Sequence, residues 1–384
     1  MFFFWSVFDG IISYATPIFL VQKGLSNTFM GIILASSSIG GTLLDFVLVR
    51  LTKNTNFRKL FFVMFIASLI YPFILFTSKL IIFYILAMVV WGLYYDLANF
   101  GQYNFIGKRM RSNEHGDAFG VMSVFGTLGY MIAPILAGLI IVSVVTFNVF
   151  LFAFIFLLFS FLLFLSFLNF TKGKNKENSN NLNKDNFSLL KEIKILPTIA
   201  LKIWPVLIFI MLLNISDSFF WTIGPLLSQS LKEGSLIGGF LLAAYGLPSL
   251  IVGWFVGKST KKLGKKKTAM IAFFLGSLIL MAIFFTDKPL LIVIIIFVSS
   301  FFSSLAWPAI KATFADYIYE SQVFETHIEG LADLSTNFGY IIGPILAGLI
   351  SDKFGNRLGF GILGIFGAIF SLILMRLTPK KIRV

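Results

Sequence analysis

The chain has 384 residues, of which 58% are hydrophobic and only 12% charged, with a mean hydropathy of +0.91 and a formal net charge of +14. A soluble domain is nearer half apolar and a quarter charged, so this composition indicates an integral membrane protein. The absence of Cys excludes disulfides, thiolate metal sites and cysteine nucleophiles, and with only two His we expect neither a metal site nor a cofactor.

Apolar runs of about 20 residues, long enough to cross the hydrocarbon layer as helices, occur twelve times. They lie near 1–21, 29–50, 59–77, 80–104, 118–141, 147–168, 203–225, 235–257, 268–286, 289–312, 328–350 and 357–377. Residues 171–186 are rich in Lys and Asn and predict a flexible linker. We therefore expect an all-α membrane protein with a six-helix half at 1–170, a cytoplasmic linker at 171–198 and a second six-helix half at 199–384.

Basic residues concentrate on one side of these spans. The richer side holds Arg50, Arg58 and Lys59, then Lys108 to Arg111, the linker lysines, the run Lys258 to Lys267, and finally Lys380, Lys381 and Arg383. The opposite side holds Lys23, Lys79, Lys232, Lys288, Lys353 and Arg357. The positive-inside rule assigns the richer side to the cytoplasm, so both termini of this plasma- or inner-membrane protein are expected there. The net charge of +14 is then explained by membrane orientation and by contact with anionic lipid, so we expect no nucleic-acid partner.

The start of the chain carries no basic stretch ahead of its apolar residues. A cleaved signal peptide would need such a stretch and a small-residue cleavage site. Residues 1–21 are therefore expected to be a retained first span.

One apolar stretch occurs twice. Residues 129–140 and 339–350 agree at ten of twelve positions and lie 210 residues apart. At an offset of 208, Asp9 falls on Asp217, which extends the repeat to the first span of each half. A period of half the chain indicates a duplicated domain. Because six spans separate the copies, the two halves have the same orientation in the membrane.

Two parallel six-helix halves joined by a cytoplasmic linker resemble the major facilitator superfamily (MFS). The loop after the eighth span is similar to the family's inner-loop signature at Gly257 and Gly264, with Lys261 at its acidic position. The resemblance implies a monomeric secondary transporter, not an enzyme, that works by alternating access. It also implies that the first, fourth, seventh and tenth spans line a central site.

The repeated stretch is similar to the family's antiporter signature. Small residues let helices approach closely and Pro kinks a helix, so the repeat predicts a hinge or moving interface between the halves. Its residues are Gly129, Pro134, Gly138, Gly339, Pro344 and Gly348. The resemblance implies export by exchange with protons, although part of the match follows from the duplication itself.

Polar side chains on the four lining spans are the candidate site. An ionised Asp at the centre of a membrane helix costs about 2.5–3.5 kcal/mol, so Asp9 and Asp217 should face a cavity or a partner, or carry a proton. They are candidates for proton coupling or substrate binding; the alternative is that they form structural hydrogen bonds between helices. Their neighbours at helical spacing, and the polar and aromatic residues of the fourth and tenth spans, complete the set: Trp5, Ser13, Asn214, Trp221, Tyr95, Asp96, Asn99, Gln102 and Trp307.

These features predict a secondary transporter of a small molecule, coupled to protons or another ion. Acidic and aromatic walls suit lipophilic or cationic compounds and favour efflux. Uptake of a sugar or another polar metabolite is the alternative, since Asn99, Gln102 and Trp307 could hold hydroxyls and stack on rings. A polytopic membrane enzyme or receptor-like protein is the alternative from another class, but the sequence has no catalytic cluster at a membrane face and no phosphate-loop pattern.

Overall fold

The structure, a computed structural model, describes residues 1–52, 55–111, 114–141, 144–170, 189–234, 236–320 and 325–378. Within these ranges the secondary structure is helical. The chain divides into two compact units, residues 1–182 and 183–384.

The first unit contains six helices. They are α1 (Phe2–Gln22), α2 (Asn27–Thr52), α3 (Phe57–Thr77), α4 (Ile81–Arg109), α5 (His115–Ile140) and α6 (Phe147–Phe170). Helix α1 packs on α5 and α6, while α4 packs on α2 and α3. Gly24, at φ 86°, ends the first helix in a backbone conformation that other residues rarely adopt.

The second unit repeats this arrangement with more breaks. Its helices are α7 (Leu189–Thr222), α8 (Gly224–Gly234), α9 (Leu241–Gly246), α10 (Pro248–Leu263), α11 (Lys265–Met281), α12 (Pro289–Glu320) and α13 (Glu325–Leu377), with 3₁₀ turns at Leu236–Phe240 and Ala282–Phe285. Helix α7 packs on α13, and α12 packs on α10 and α11. These contacts correspond to α1 on α5 and to α4 on α2 and α3, so the repeat seen in the sequence is also a repeat of packing.

Nine helices among the described residues are long and apolar enough to cross a membrane, or ten if the bent pair Ile237–Gly253 and Phe255–Leu263 is one span. The longest, α13, contains Gly355 at φ 81° and ψ 160°, where two helices meet at a kink. The all-helical membrane fold is confirmed, and the count of twelve spans stays a prediction.

One expected helix differs from the structure. The eighth span, predicted as one helix over 235–257, is a 3₁₀ turn followed by the two helices α9 and α10. Gly238, Gly246 and Pro248 explain these breaks, because Gly weakens a helix interior and Pro lacks the N–H donor. A further bend of 68° separates Ile237–Gly253 from Phe255–Leu263. Helix α7 begins at Leu189, within the range 171–198 expected to be the linker, and the division into two halves and a linker stays a prediction. Residues 171–188 and the basic residues after 378 lie outside the described part of the chain.

Phenylalanines fill much of the interior of the first unit. Phe61 and Phe65 of α3 both pack against Phe164 of α6, at ring-centroid distances of 5.9 and 5.5 Å. Such aromatic pairs add about 0.5–1.5 kcal/mol beyond the area they bury. This helps to explain the 48 Phe in the sequence. Asp9 of α1 is an acidic side chain buried inside this largely apolar unit.

Candidate functional site

Asp9 lies on α1 with only 1% of its surface exposed, and three side chains donate hydrogen bonds to its carboxyl group. Its Oδ1 atom accepts from the indole Nε1 of Trp91 at 2.8 Å and from the hydroxyl of Tyr94, both on α4. Its Oδ2 atom accepts from the hydroxyl of Tyr130 on α5 at 2.7 Å. One carboxyl group therefore joins three helices of the first unit.

A second layer of aromatic and hydroxyl groups surrounds this carboxyl. The Tyr71 hydroxyl hydrogen-bonds Thr16 over 2.7 Å, and the Tyr71 ring stacks on Trp91 at 6.4 Å. Trp5 packs edge-on against Tyr94 and donates to Ser68 at 3.4 Å. The wall of the site in this unit is thus aromatic with a few hydroxyls.

Asp217 on α7 is the corresponding acid of the second unit and is partly exposed. Tyr245 of α9 donates to its Oδ1 at 2.5 Å, and Tyr340 of α13 donates to its Oδ2 at 2.7 Å. The Tyr245 ring stacks on Phe220 with centroids 3.9 Å apart. The break that ends α9 lies one residue after Tyr245, so the donor comes from an interrupted helix.

The repeated stretch packs directly against each acid-bearing helix. A methyl group added at Gly129 would lie 2.7 Å from Cβ of Ser6 on α1, and one added at Gly339 would lie 2.5 Å from Cβ of Asn214 on α7. Ser6 and Asn214 are themselves 208 residues apart. Both contacts therefore hold equivalent helix pairs together inside their own unit. The predicted moving interface between the halves stays a prediction.

One turn further along, the two units meet the same steric need with opposite residues. In the first unit Gly10 of α1 faces Ala133 of α5, and a methyl group on Gly10 would lie 2.5 Å from the Ala133 Cβ. In the second unit Ser218 of α7 faces Gly343 of α13, where an added methyl group would lie 3.0 Å from the Ser218 Cβ. Each pair keeps one glycine, on opposite helices.

Two of the other predicted site residues have neighbours away from the acids. Asn214 turns to its own helix and to α13, donating to the Ile210 carbonyl at 2.7 Å and to the Thr336 hydroxyl at 3.5 Å. The Asp96 carboxyl lies against α2, beside Gly41. The remaining predicted residues are exposed (Tyr95, Asn99) or partly exposed (Ser13, Gln102, Trp221, Trp307).

The inner-loop motif forms the connection between α10 and α11. Gly264 joins them at φ 84° and ψ 150°, whereas Gly257 lies within α10. Lys261 is an exposed residue in the last turn of α10. Near this turn Lys265 pairs with Asp316 of α12 at 2.5 Å. A lysine–aspartate pair therefore fastens α12 to the start of α11.

Sequence reasoning found both acids and missed the five side chains that donate to them: Trp91, Tyr94, Tyr130, Tyr245 and Tyr340. A usable signal existed for two of them. Tyr130 and Tyr340 follow the first glycine of each copy of the repeat, one turn before its Pro. A hydroxyl that both copies of an otherwise apolar repeat retain points to a polar partner.

The fold and site define a polytopic membrane protein made of two related helical units, each with a hydrogen-bonded acid in its first helix. The sequence matches the model of the Major Facilitator Superfamily over residues 1–322 and 206–384. The chain belongs to this superfamily of membrane transporters, which confirms the family predicted from the sequence.

Solved structures agree with this assignment of fold. The chain is similar to the nucleoside transporter NupG, with a TM-score of 0.79 and 15% identity over 99% of this chain and 98% of that one. It is also similar to a bacterial homologue of the human lysosomal transporter Spinster, with a TM-score of 0.75 and 12% identity over 100% of this chain and 96% of that one. No curated protein matches the sequence.

Proposed function

We propose that this chain is a proton-coupled secondary transporter of a small molecule, with Asp9 and Asp217 as the acids that take up and release protons. Asp9 and Asp217 lie at equivalent positions of the two units, and each acid-bearing helix packs against a helix that carries the repeat, so the two units supply matched groups. The transport cycle would then load and unload a proton at each acid as the site opens to alternate sides of the membrane.

One observation carries this proposal. Among the described residues neither Asp9 nor Asp217 forms an ion pair with Lys or Arg, and all their hydrogen-bond partners are Tyr or Trp. Taking an ionised carboxylate out of water without a cation is costly even when it is hydrogen-bonded. A proton or a cationic substrate is the species that can balance the charge, and both arrive and leave during transport.

Two substrate classes fit the side chains around the acids. Efflux of a lipophilic cation is favoured by carboxyl groups set among aromatic rings, since a cation is attracted both to the acid and to the ring faces. Uptake of a polar ring compound such as a nucleoside is favoured by the likeness to NupG and by exposed hydroxyl and amide groups on α4, such as Tyr95 and Asn99.

Proteoliposomes that contain the full chain and an entrapped pH dye test the proposal and separate the two classes. We expect members of one class, lipophilic cations or nucleosides and sugars, to drive proton movement across the membrane. Asp9→Asn and Asp217→Asn remove a titratable carboxyl group while keeping its shape. Each should abolish substrate-driven proton movement.

Asp287→Asn is the matched control, because Asp287 is a largely exposed acid before α12 whose ion pair is with Arg357. It should leave proton movement unchanged. Proton movement that persists in both Asp9→Asn and Asp217→Asn would rule these acids out as carriers. If no compound of either class moves protons, proton coupling itself is rejected.

A further inference from the structure

Two tyrosines at equivalent positions of the repeat bind the two acids in the same way. Tyr130 donates to Oδ2 of Asp9 and Tyr340 donates to Oδ2 of Asp217, each over 2.7 Å. The other donors differ in origin, since they come from α4 in the first unit and from α9 in the second. The pair of acid and repeat tyrosine is therefore the part of the site that both units share.

The donors around Asp9 select the oxygen that a proton can bind. Each carboxylate oxygen offers two lone pairs. Within the described part of the chain, Oδ1 accepts from Trp91 and Tyr94, whereas Oδ2 accepts from Tyr130 alone. An arriving proton therefore binds Oδ2, and the charge-assisted bond from Tyr130 is the one that weakens when the carboxyl group becomes neutral.

Asp217 has one donor on each oxygen, Tyr245 on Oδ1 and Tyr340 on Oδ2. Both hydrogen bonds are charge-assisted, so both weaken when the carboxyl group becomes neutral. Tyr245 connects Asp217 to α9, whereas Tyr340 connects it to α13, which carries the repeat. In both units, neutralising the acid therefore weakens the hydrogen bond that joins it to the repeat helix.

Each of these hydrogen bonds lies beside a close contact between its two helices. Tyr340 directly follows Gly339, whose backbone meets α7, and Tyr130 directly follows Gly129, whose backbone meets α1. A hydrogen bond loses most of its strength when donor and acceptor separate beyond about 3.5 Å. The bond therefore forms only while the repeat helix is seated on its partner.

We propose that Tyr130 and Tyr340 are positioning residues that link protonation of Asp9 and Asp217 to the seating of the repeat helices, α5 on α1 and α13 on α7. This inference rests on the proposed function, in which these acids take up protons. With the acid ionised, the tyrosine holds the helix in place; with the acid neutral, the helix is released. Protonation driven by a proton gradient would thereby loosen the packing of α5 on α1 and of α13 on α7.

The other titratable groups around the two acids do not compete with them. Tyr71 of α3, Tyr94 of α4 and Tyr130 of α5 face Asp9, and Tyr95 of α4 hydrogen-bonds Tyr130. Tyr245 of α9 and Tyr340 of α13 face Asp217. All six are tyrosine hydroxyls, which keep their proton across the pH range of a transport assay. The carboxyl group is the member of each cluster that changes charge.

A distance measurement within the second unit tests the link. The natural chain has no Cys, so introduced cysteines are the only sites that a thiol-reactive spin label can modify. We place them at two exposed positions, Leu201→Cys in α7 and Leu334→Cys in α13. In the otherwise unmodified full chain in lipid, we expect the label-to-label distance to shift between mildly alkaline and mildly acidic pH. Tyr340→Phe should abolish the shift, because the ring stays but the donor is lost.

Tyr245→Phe is the matched control, since Tyr245 donates to the same carboxyl group from a different helix. It should keep the shift, although the pH at its midpoint will move. A shift that survives in Tyr340→Phe, or one that Tyr245→Phe abolishes equally, overturns the inference. A wild-type distance that ignores pH while substrate still drives protons also overturns it and leaves the proposed function intact.

The first unit provides a second test if Tyr340→Phe does not fold. Here Tyr130→Phe should flatten the pH profile of transport, whereas Tyr94→Phe should move the profile and keep its slope. Equal flattening by both variants contradicts a special role for the repeat tyrosine. Loss of substrate-driven proton movement in the unmodified protein would instead reject the proposed function.

Discussion

At the scale of single residues, the two units solve one packing problem with opposite residues. Gly10 faces Ala133, whereas Ser218 faces Gly343. Each helix crossing therefore accommodates one small side chain, provided that the residue opposite it is glycine. Gly343→Ala would place a methyl group against Ser218, and overpacking of this kind costs about 1–3 kcal/mol. We expect Gly343→Ala to lower the apparent melting temperature in detergent.

The arrangement of Gly10 and Ala133 in the first unit suggests a second substitution that should compensate for Gly343→Ala. Ser218→Gly combined with Gly343→Ala recreates the Gly10–Ala133 arrangement, so the double variant should be more stable than Gly343→Ala alone, a coupling that a double-mutant cycle measures. Gly330→Ala on the same helix is the control, because nothing lies within 4 Å of a methyl group there. Strictly additive effects would show that the two residues do not compete for space.

At the scale of elements, the connection between α10 and α11 depends on the backbone of Gly264. Its φ of 84° and ψ of 150° lie in a region that is essentially restricted to glycine, so Gly264→Ala should cost about 1–3 kcal/mol. Gly257 is a matched control within α10, since it is helical and a methyl group there meets nothing within 4 Å. Thermal unfolding should show a loss for Gly264→Ala and no loss for Gly257→Ala.

Arg357 connects the helix that follows the Gly355 kink to the segment between α11 and α12. Arg357 donates to the carbonyl groups of Ile283 at 3.0 Å and Thr286 at 2.7 Å, and it pairs with Asp287 at 2.9 Å. Hydrogen bonds from a charged donor contribute about 1.5–3 kcal/mol, whereas an exposed ion pair contributes about 0–1 kcal/mol.

Arg357→Ala should therefore lower the melting temperature clearly, and Asp287→Ala should lower it little, because its carboxyl group is largely exposed. Similar losses in the two variants would mean that the ion pair, and not the carbonyl contacts, holds this helix.

At the scale of the whole molecule, the uneven distribution of basic residues predicts the orientation in the membrane. A reporter enzyme that is active only outside the cytoplasm should be inactive when fused after Val384. It should be active when inserted between Asp287 and Lys288, on the side with six basic residues. The reverse pattern would overturn the predicted cytoplasmic location of both termini.

The sequence predicted the architecture well because duplication and hydropathy are properties of long segments. Asp9 and Asp217 stood out because a carboxyl group in an apolar helix is unusual at any rotation of that helix. Trp91, Tyr94 and Tyr245 could not be assigned to them, because which face of α4 or α9 turns towards the acid is decided by packing between segments distant in the chain. The broken eighth span was missed for a different reason: mean hydropathy does not register Gly246 and Pro248 as breaks.

The indole of Trp91 gives the protein a built-in optical probe. Its Nε1 atom lies 2.8 Å from the carboxyl oxygen of Asp9, while five other Trp share the chain. The excited state of indole has a large dipole, so its emission colour depends on whether the adjacent carboxyl group is charged or neutral. The difference between the emission spectra of the natural protein and Trp91→Phe would therefore follow the filling of this one acid in real time, without any label.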